Sequence, residues 1–205
     1  IIDSAETLAE QVGRRPAVER IFPAFEPTRA QPAASATVPV LPELMFFNGL
    51  GGFTPDGHEY VISLAPGQAT PAPWANVLAN SQIGTVITES GGSNTWVDNA
   101  HEFRLTPWGN DPVGDSSGEA FYLRDEETGR YWSPTLLPVR GQGTYICRHG
   151  FGYSVHEYAQ MGISSELLTF VALDAPVKLV LVKVRNGSGR VRRLSVTGDW
   201  EVVLS

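Results

Sequence analysis

The sequence predicts an all-β protein, a sandwich or a barrel, and three observations carry that prediction. Short runs rich in β-branched and aromatic residues recur after residue 43. Turn-forming residues separate them: Pro55-Asp56-Gly57, Gly91-Gly92-Ser93 and Asn186-Gly187-Ser188-Gly189. No helical period appears after residue 44, and 21 Gly with 15 Pro punctuate the 205 residues. Gly and Asn accept φ > 0 at low cost, so these clusters close turns between strands.

In chain order, residues 3–13 read as a short helix. Asp3 can cap it, Glu6 follows in a capping-box position, and Ala5, Leu8, Ala9 and Val12 make an apolar stripe. Pro23, Pro27, Pro32, Pro39 and Pro42 then argue for an extended linker, because proline removes donors and fixes φ. A domain boundary near residue 43 follows, with a linker segment at 1–42 and a β domain at 43–205. Strands are expected at 59–64, 83–89, 119–124, 144–148, 153–158, 164–173, 177–185 and 191–204. The run 177–185 alternates imperfectly, so its middle is expected to be buried on both faces. Lys183, Arg185, Arg190, Arg192 and Arg193 read as the solvated face of a last hairpin. The chain opens on Ile1 and halts at Val203-Leu204-Ser205 in what looks like an interrupted strand, which suggests a piece of something longer.

Composition narrows the function. A hydrophobic content of 42% supports a packed core. A formal charge of −7 argues against binding nucleic acid or anionic lipid, since both need a cationic face. No run reaches the roughly 18 apolar residues that span a bilayer, so membrane insertion is not expected. Cys147 is alone, so it makes no internal disulfide and reads as a buried structural thiol. His58, His101, His149 and His156 sit in no metal-ligand frame, and no metal or cofactor is expected. There is no G-x-S-x-G elbow, and Asn48-Gly49-Leu50-Gly51-Gly52-Phe53 lacks the Lys-Ser/Thr of a phosphate loop. It reads as a bend that permits close backbone approach.

One stretch carries chemistry. TWVDNAHEFRLTPWGNDP, residues 95–112, holds two tryptophans, two asparagines, an arginine, a histidine and three carboxylates. A saccharide has apolar faces and a polar rim. Aromatic rings bury the faces, and planar polar side chains bond the hydroxyls. Trp74 and the segment Glu89–Asn94 add to the mixture. The competing reading is that such tryptophans fill a core.

The order of motifs resembles the amino-terminal β-sandwich of glycoside hydrolase family 94, the inverting disaccharide phosphorylases. It is most similar to the phosphorylase-like region of cyclic β-1,2-glucan synthases and to β-1,2-oligoglucan phosphorylases. The carrying stretches are FFNGLGGFTPDGHEYVI (46–62), TPAPWANVLAN (70–80), the run at 95–129 and RNGSGRVRRLSVT (185–197). Ala100, His101 and Phe103 depart from the family's usual Ser-Arg-Glu-Asn.

The resemblance implies a large antiparallel sandwich, a supersandwich of galactose-mutarotase-like type. It also implies an enzyme that phosphorolyses a β-glucoside with inversion and uses inorganic phosphate as co-substrate. In that family the general acid and the phosphate site lie on a downstream helical barrel, so no catalytic residue is expected here and the chain alone should be silent. By motif position, Trp96, Asn99, Glu102, Arg104, Thr106, Trp108 and Asp111 are expected to touch a β-glucan oligosaccharide, with both indoles stacking. Alternatively, Arg104 pairs with Glu102 or Asp111 to brace the loop. Leu105 is expected in the core. The implied partners are the helical barrel and a second copy in a homodimer, and the implied location is cytoplasmic, at the inner membrane for a synthase. Two other readings stand beside this one: a freestanding carbohydrate-binding sandwich, and a purely structural interface domain.

Overall fold

The computed structural model describes residues 43–109 and 111–203. The expected helix at 3–13 and the proline-rich segment lie outside them. Among the described residues twelve strands form and there is no helix. They are β1 (Gly51–Phe53), β2 (Glu59–Leu64), β3 (Ala75–Ala79), β4 (Ile83–Thr88), β5 (Ser93–Val97) and β6 (Glu119–Asp125). Then come β7 (Tyr131–Trp132), β8 (Tyr145–Gly150), β9 (Tyr153–Gln160), β10 (Ile163–Val171), β11 (Lys178–Asn186) and β12 (Leu194–Trp200).

A six-stranded antiparallel sheet runs β1-β2-β8-β9-β10-β11. Two three-stranded sheets, β3-β4-β5 and β12-β6-β7, cover one face of it. The pairing register defines that inner face. Ile62, Cys147, His156, Leu167 and Val182 lie in one row across five strands. Residues directly opposite in a ladder share a face, so the whole row points one way. Against one half of it lie Leu123 of β6, Trp132 of β7 and Leu136. Against the other half lie Leu78, Ile83 and Ile87, which meet Val171. The result is the large antiparallel sandwich the sequence predicts, and Cys147 is buried within it as expected.

Two expectations about the last strands fail. β11 is not buried on both faces. It is an edge strand, and from Lys183 onward it is exposed. Nor do β11 and β12 form a hairpin, because they belong to different sheets. The basic cluster is accordingly not one solvated face. The Arg192 side chain is buried, with its guanidinium on Asp125 at 2.9 Å and on the Met161 carbonyl at 3.0 Å. Arg190 pairs with Glu127, and Lys183 with Glu166. The crossing from one sheet to the other turns Arg190 and Arg192 toward distant carboxylates, whereas Lys183 meets Glu166 directly opposite it on β10.

Candidate functional site

The decorated stretch begins as a strand. β5 pairs with β4, placing Thr85 opposite Thr95 and Gly84 opposite Trp96. Thr95 points inward and Trp96 outward. The Trp96 indole lies against Gly84: a Cβ on that glycine would fall 2.3 Å from the ring. A glycine inside a strand marks close approach, and here the approaching group is an aromatic plane. Trp96 is half-buried, with the sheet on one side.

Beyond β5 the chain turns at Asp98, which takes φ = 54°. Asn99 builds the turn. Its Oδ1 accepts the amides of His101 at 2.7 Å and Glu102 at 3.3 Å, an Asx arrangement. The chain then returns beside β5: the Val97 amide donates to the Phe103 carbonyl, and the Leu105 and Thr106 amides donate to the Thr95 carbonyl. This sets Arg104 opposite Trp96. Arg104 makes no ion pair among the described residues, so the bracing alternative with Glu102 or Asp111 is not realised. Its Nε donates to the Ala100 carbonyl at 3.1 Å instead. Glu102 faces His101 at 2.7 Å in an exposed contact. Leu105 is 43% exposed and not core, because the inward place beside it is taken by Thr106.

Thr106 is 4% exposed and points into the protein. Its hydroxyl accepts the Thr95 amide at 2.8 Å and donates to the Glu119 carboxylate at 2.9 Å. Glu119 in turn pairs with Lys178. Burial pushes Glu119 up, but the Lys178 charge and donors, with the hydroxyls of Thr95 and Thr106, outweigh it and hold the carboxyl below its ordinary range. Burial pulls Lys178 down against the attraction of Glu119. The two directions oppose each other. The donors converging on Glu119 decide for the ionised pair.

Past Thr106 the loop surfaces again. Trp108 is 54% exposed and bridges to Ser117, whose hydroxyl accepts the Ser93 amide at 2.9 Å. Asp111 is exposed. The amides of Gly114 and Val113 hold its carboxyl below the usual range. Beside this loop a cavity of about 360 Å³ is lined by Asp115, Ser116, Tyr122, Asp199 and Glu201 among others.

The seven expected residues therefore fall into three places. Trp96, Asn99, Glu102 and Arg104 form one outward group, and Trp108 and Asp111 form another. Thr106 is buried between them. Arg104 and Trp108 lie four positions apart, a span of at most about 14 Å. Trp74 and Glu89 are not part of this surface. Trp74 is packed edge-on to Tyr60 at the rim of the core, and Glu89 is buried against the Thr70 hydroxyl and the Trp74 amide. Sequence reasoning missed Glu119 and Lys178. The signal was a lysine in phase with Val180 and Val182, on the face that turns inward. Among the described residues no group of His, Cys, Asp and Glu is placed to hold a metal ion, and no helix is long and apolar enough to cross a membrane.

Comparison with known proteins gives the fold its lineage. Residues 58–205 match the model of the glycosyl hydrolase 94 supersandwich domain. The chain is 40% identical over 163 residues to the cyclic beta-(1,2)-glucan synthase NdvB of Rhizobium meliloti (strain 1021), covering 79% of this chain and 6% of that protein. It is 34% identical over 155 residues to solabiose phosphorylase of Paenibacillus borealis, covering 72% of this chain and 19% of the relative. To N,N'-diacetylchitobiose phosphorylase of Vibrio proteolyticus it is 32% identical over 148 residues, covering 71% and 18%. The chain thus spans less than a fifth of each of these relatives. The antiparallel sandwich and the match over 58–205 agree, and the chain belongs to the glycosyl hydrolase 94 family through its supersandwich domain.

Proposed function

We propose that this chain is a non-catalytic supersandwich portion of a cyclic β-1,2-glucan synthase or a related inverting glycoside phosphorylase. It packs on a helical catalytic barrel of the longer enzyme and lends an indole-bearing edge to glucan binding. The observation that carries this reading is Trp96, laid against Gly84 on the outer side of a sheet, with Arg104 beside it and Trp108 exposed in the same loop. A ring fixed by its seat pays little entropy when a pyranose stacks on it. Arg104, Asn99, Glu102 and Asp111 supply donors and acceptors for the hydroxyl rim, and Thr106 serves from beneath as an anchor.

Phosphorolysis needs one carboxylic acid to protonate the leaving oxygen and one phosphate to attack the anomeric carbon. Neither role is assigned to a residue of this chain. Phosphate is a co-substrate of the longer enzyme, and a second copy of the chain is a partner this reading admits. A cytoplasmic location goes with the reading, on the inner face of the membrane for a synthase.

The test is twofold. Incubated with β-1,2-glucan and phosphate, the chain should release no glucose 1-phosphate; turnover that survives repurification overturns the assignment. In the full-length enzyme, Trp96→Ala and Trp108→Ala should each raise KM for glucan about tenfold, the loss of one stacking contact of about 1.4 kcal/mol. An unchanged KM in both variants would leave the sandwich a structural domain.

A further inference from the structure

Lys178 stands where an apolar residue is expected. It is in register with buried Val171 and on the same side as Val180 and Val182, and its side chain is only 10% exposed. From this position on the six-stranded sheet it reaches both other sheets. Nζ donates to Thr85 Oγ1 at 3.0 Å, Ser93 Oγ at 2.8 Å and Thr95 Oγ1 at 3.1 Å, all on the β3-β4-β5 sheet. It also reaches the Glu119 carboxylate, on the β12-β6-β7 sheet, so the three ammonium protons are shared among four acceptors. Glu119, 3% exposed, accepts the hydroxyl protons of Thr95 and Thr106.

The hydrogen assignments are mutually consistent. Thr106 takes the Thr95 amide, so its own proton goes to Glu119. Thr85 gives its proton to the Asn94 carbonyl at 2.8 Å, so it accepts from Lys178. A carboxylate is acceptor-only and an ammonium donor-only, and the cluster uses them so. Thr95 and Thr106 also share two of the backbone and hydroxyl bonds that join β5 to the returning segment 103–106, beside the Val97–Phe103 bond.

We propose that Glu119 and Lys178 are positioning residues for the indole-bearing edge: through the Thr95 and Thr106 hydroxyls they set the register of residues 103–106 against β5, and so place Trp96, Arg104 and Trp108. The ligand of that edge rests on the function proposed above; the positioning does not.

A pair that merely held the sheets together could be replaced by apolar groups of similar volume without consequence for the loop. A positioning pair cannot, because the two threonine hydroxyls lose their acceptor. Backbone amide hydrogen exchange on this chain separates the cases. In the double variant Glu119→Leu/Lys178→Met, and in Thr106→Val, the Val97, Leu105 and Thr106-position amides should exchange at least about tenfold faster. The Ile62, Cys147 and Val155 amides of the six-stranded sheet should stay within about twofold of the parent. Thr106→Ser, which keeps the hydroxyl, should restore the parental loop rates.

Thr106→Val leaves the ion pair intact and removes only its hydroxyl link to the loop, so it tests that link even if the double variant fails to fold. Parental protection of the loop in Thr106→Val overturns the proposal. So does equal acceleration of loop and sheet amides, which would mean general loosening. A final arm titrates β-1,2-gluco-oligosaccharide against parent and Thr106→Val. Weaker binding by the variant supports the positioning role and the saccharide reading together. Selective loop exchange with no binding by either protein upholds the positioning and counts against the saccharide.

Discussion

Between the six-stranded sheet and its covers, contacts of opposite chemistry lie side by side, and a smaller apolar cluster of Leu78, Ile83, Ile87 and Val171 sits under the β3-β4-β5 sheet. Under the β12-β6-β7 sheet the contact is apolar: Trp132, Leu123, Ile62 and Ile163 are sealed, and Tyr145 stacks on Tyr158 at 3.9 Å. Where β11 meets β5 and β6 the contact is polar, built on Lys178, Glu119 and four hydroxyls. The first is held by area removed from water, which has no direction and tolerates small shifts. The second is held by donors and acceptors that must meet within tenths of an ångström, and it loses heavily if one is missing. The apolar interior supplies stability. The polar one supplies register, and it lies directly beneath the exposed loop.

That contrast breaks most visibly at Trp132. Trp132→Ala should lower unfolding free energy by about 4 kcal/mol, from lost burial plus cavity. A urea titration that finds under about 1 kcal/mol would deny the apolar half its role. Next, Lys178→Met should cost about 3 kcal/mol, since it leaves the Glu119 carboxylate buried and uncompensated. Adding Glu119→Leu should recover most of that loss. If the single variant were as stable as the parent in the same titration, the pair would not be ionised.

A third test uses pH. His156 is fully buried in the middle of the sheet, and its Nε2 contacts the Thr88 carbonyl at 3.0 Å. Burial lowers its pKa to about 4. A histidine lowered in the fold takes up its proton more readily when unfolded. Stability is therefore full above about pH 6.5 and declines as pH falls toward 4, by about 1.4 kcal/mol per pH unit for one proton. His149, lowered by burial in the same way, adds to the decline. Thermal melts of His156→Gln across this window should show a shallower fall. An unchanged slope would place the acid sensitivity elsewhere.

The smallest effect is expected at Gly84. A methyl there meets the Trp96 ring, which is only half-buried and would be displaced outward. Gly84→Ala should cost only about 1 kcal/mol, yet it should shift the tryptophan emission of the folded protein to the red. Emission identical to the parent would mean that the indole is not seated on that glycine.

Much of the architecture was legible in the residues. Glu59–Leu64 reads as a strand and is one, because β-branched and aromatic side chains suit a half-buried pleat. The strands that escaped notice lack that signature. β1 is two glycines and a phenylalanine, β3 is built from Ala75, Asn76 and Ala79 around Val77 and Leu78, and β7 is two residues long. They exist because neighbours offer backbone partners, not because their side chains ask for extension. β5 lay hidden inside the polar stretch, which reads as one loop until Gly84 and Thr85 are set opposite Trp96 and Thr95.

The site divides the same way. Exposed Trp108 and Asp111 follow from a polar, proline-bearing sequence. The inward turn of Thr106 does not, since a threonine between Leu105 and Pro107 carries no sign of the carboxylate thirteen residues ahead. Arg192 misled for the same reason: a basic residue in a basic run reads as solvated until Asp125 appears beside it.

By itself the sequence determined the β class, the turn positions and an aromatic, polar stretch, because propensity, glycine chemistry and side-chain type are local properties. Only the tertiary structure decided which sheet each strand joined, that the middle of that stretch is anchored inward, and which charges are buried. Those outcomes depend on partners far apart along the chain, and a buried lysine or threonine is tolerable only where such a partner arrives.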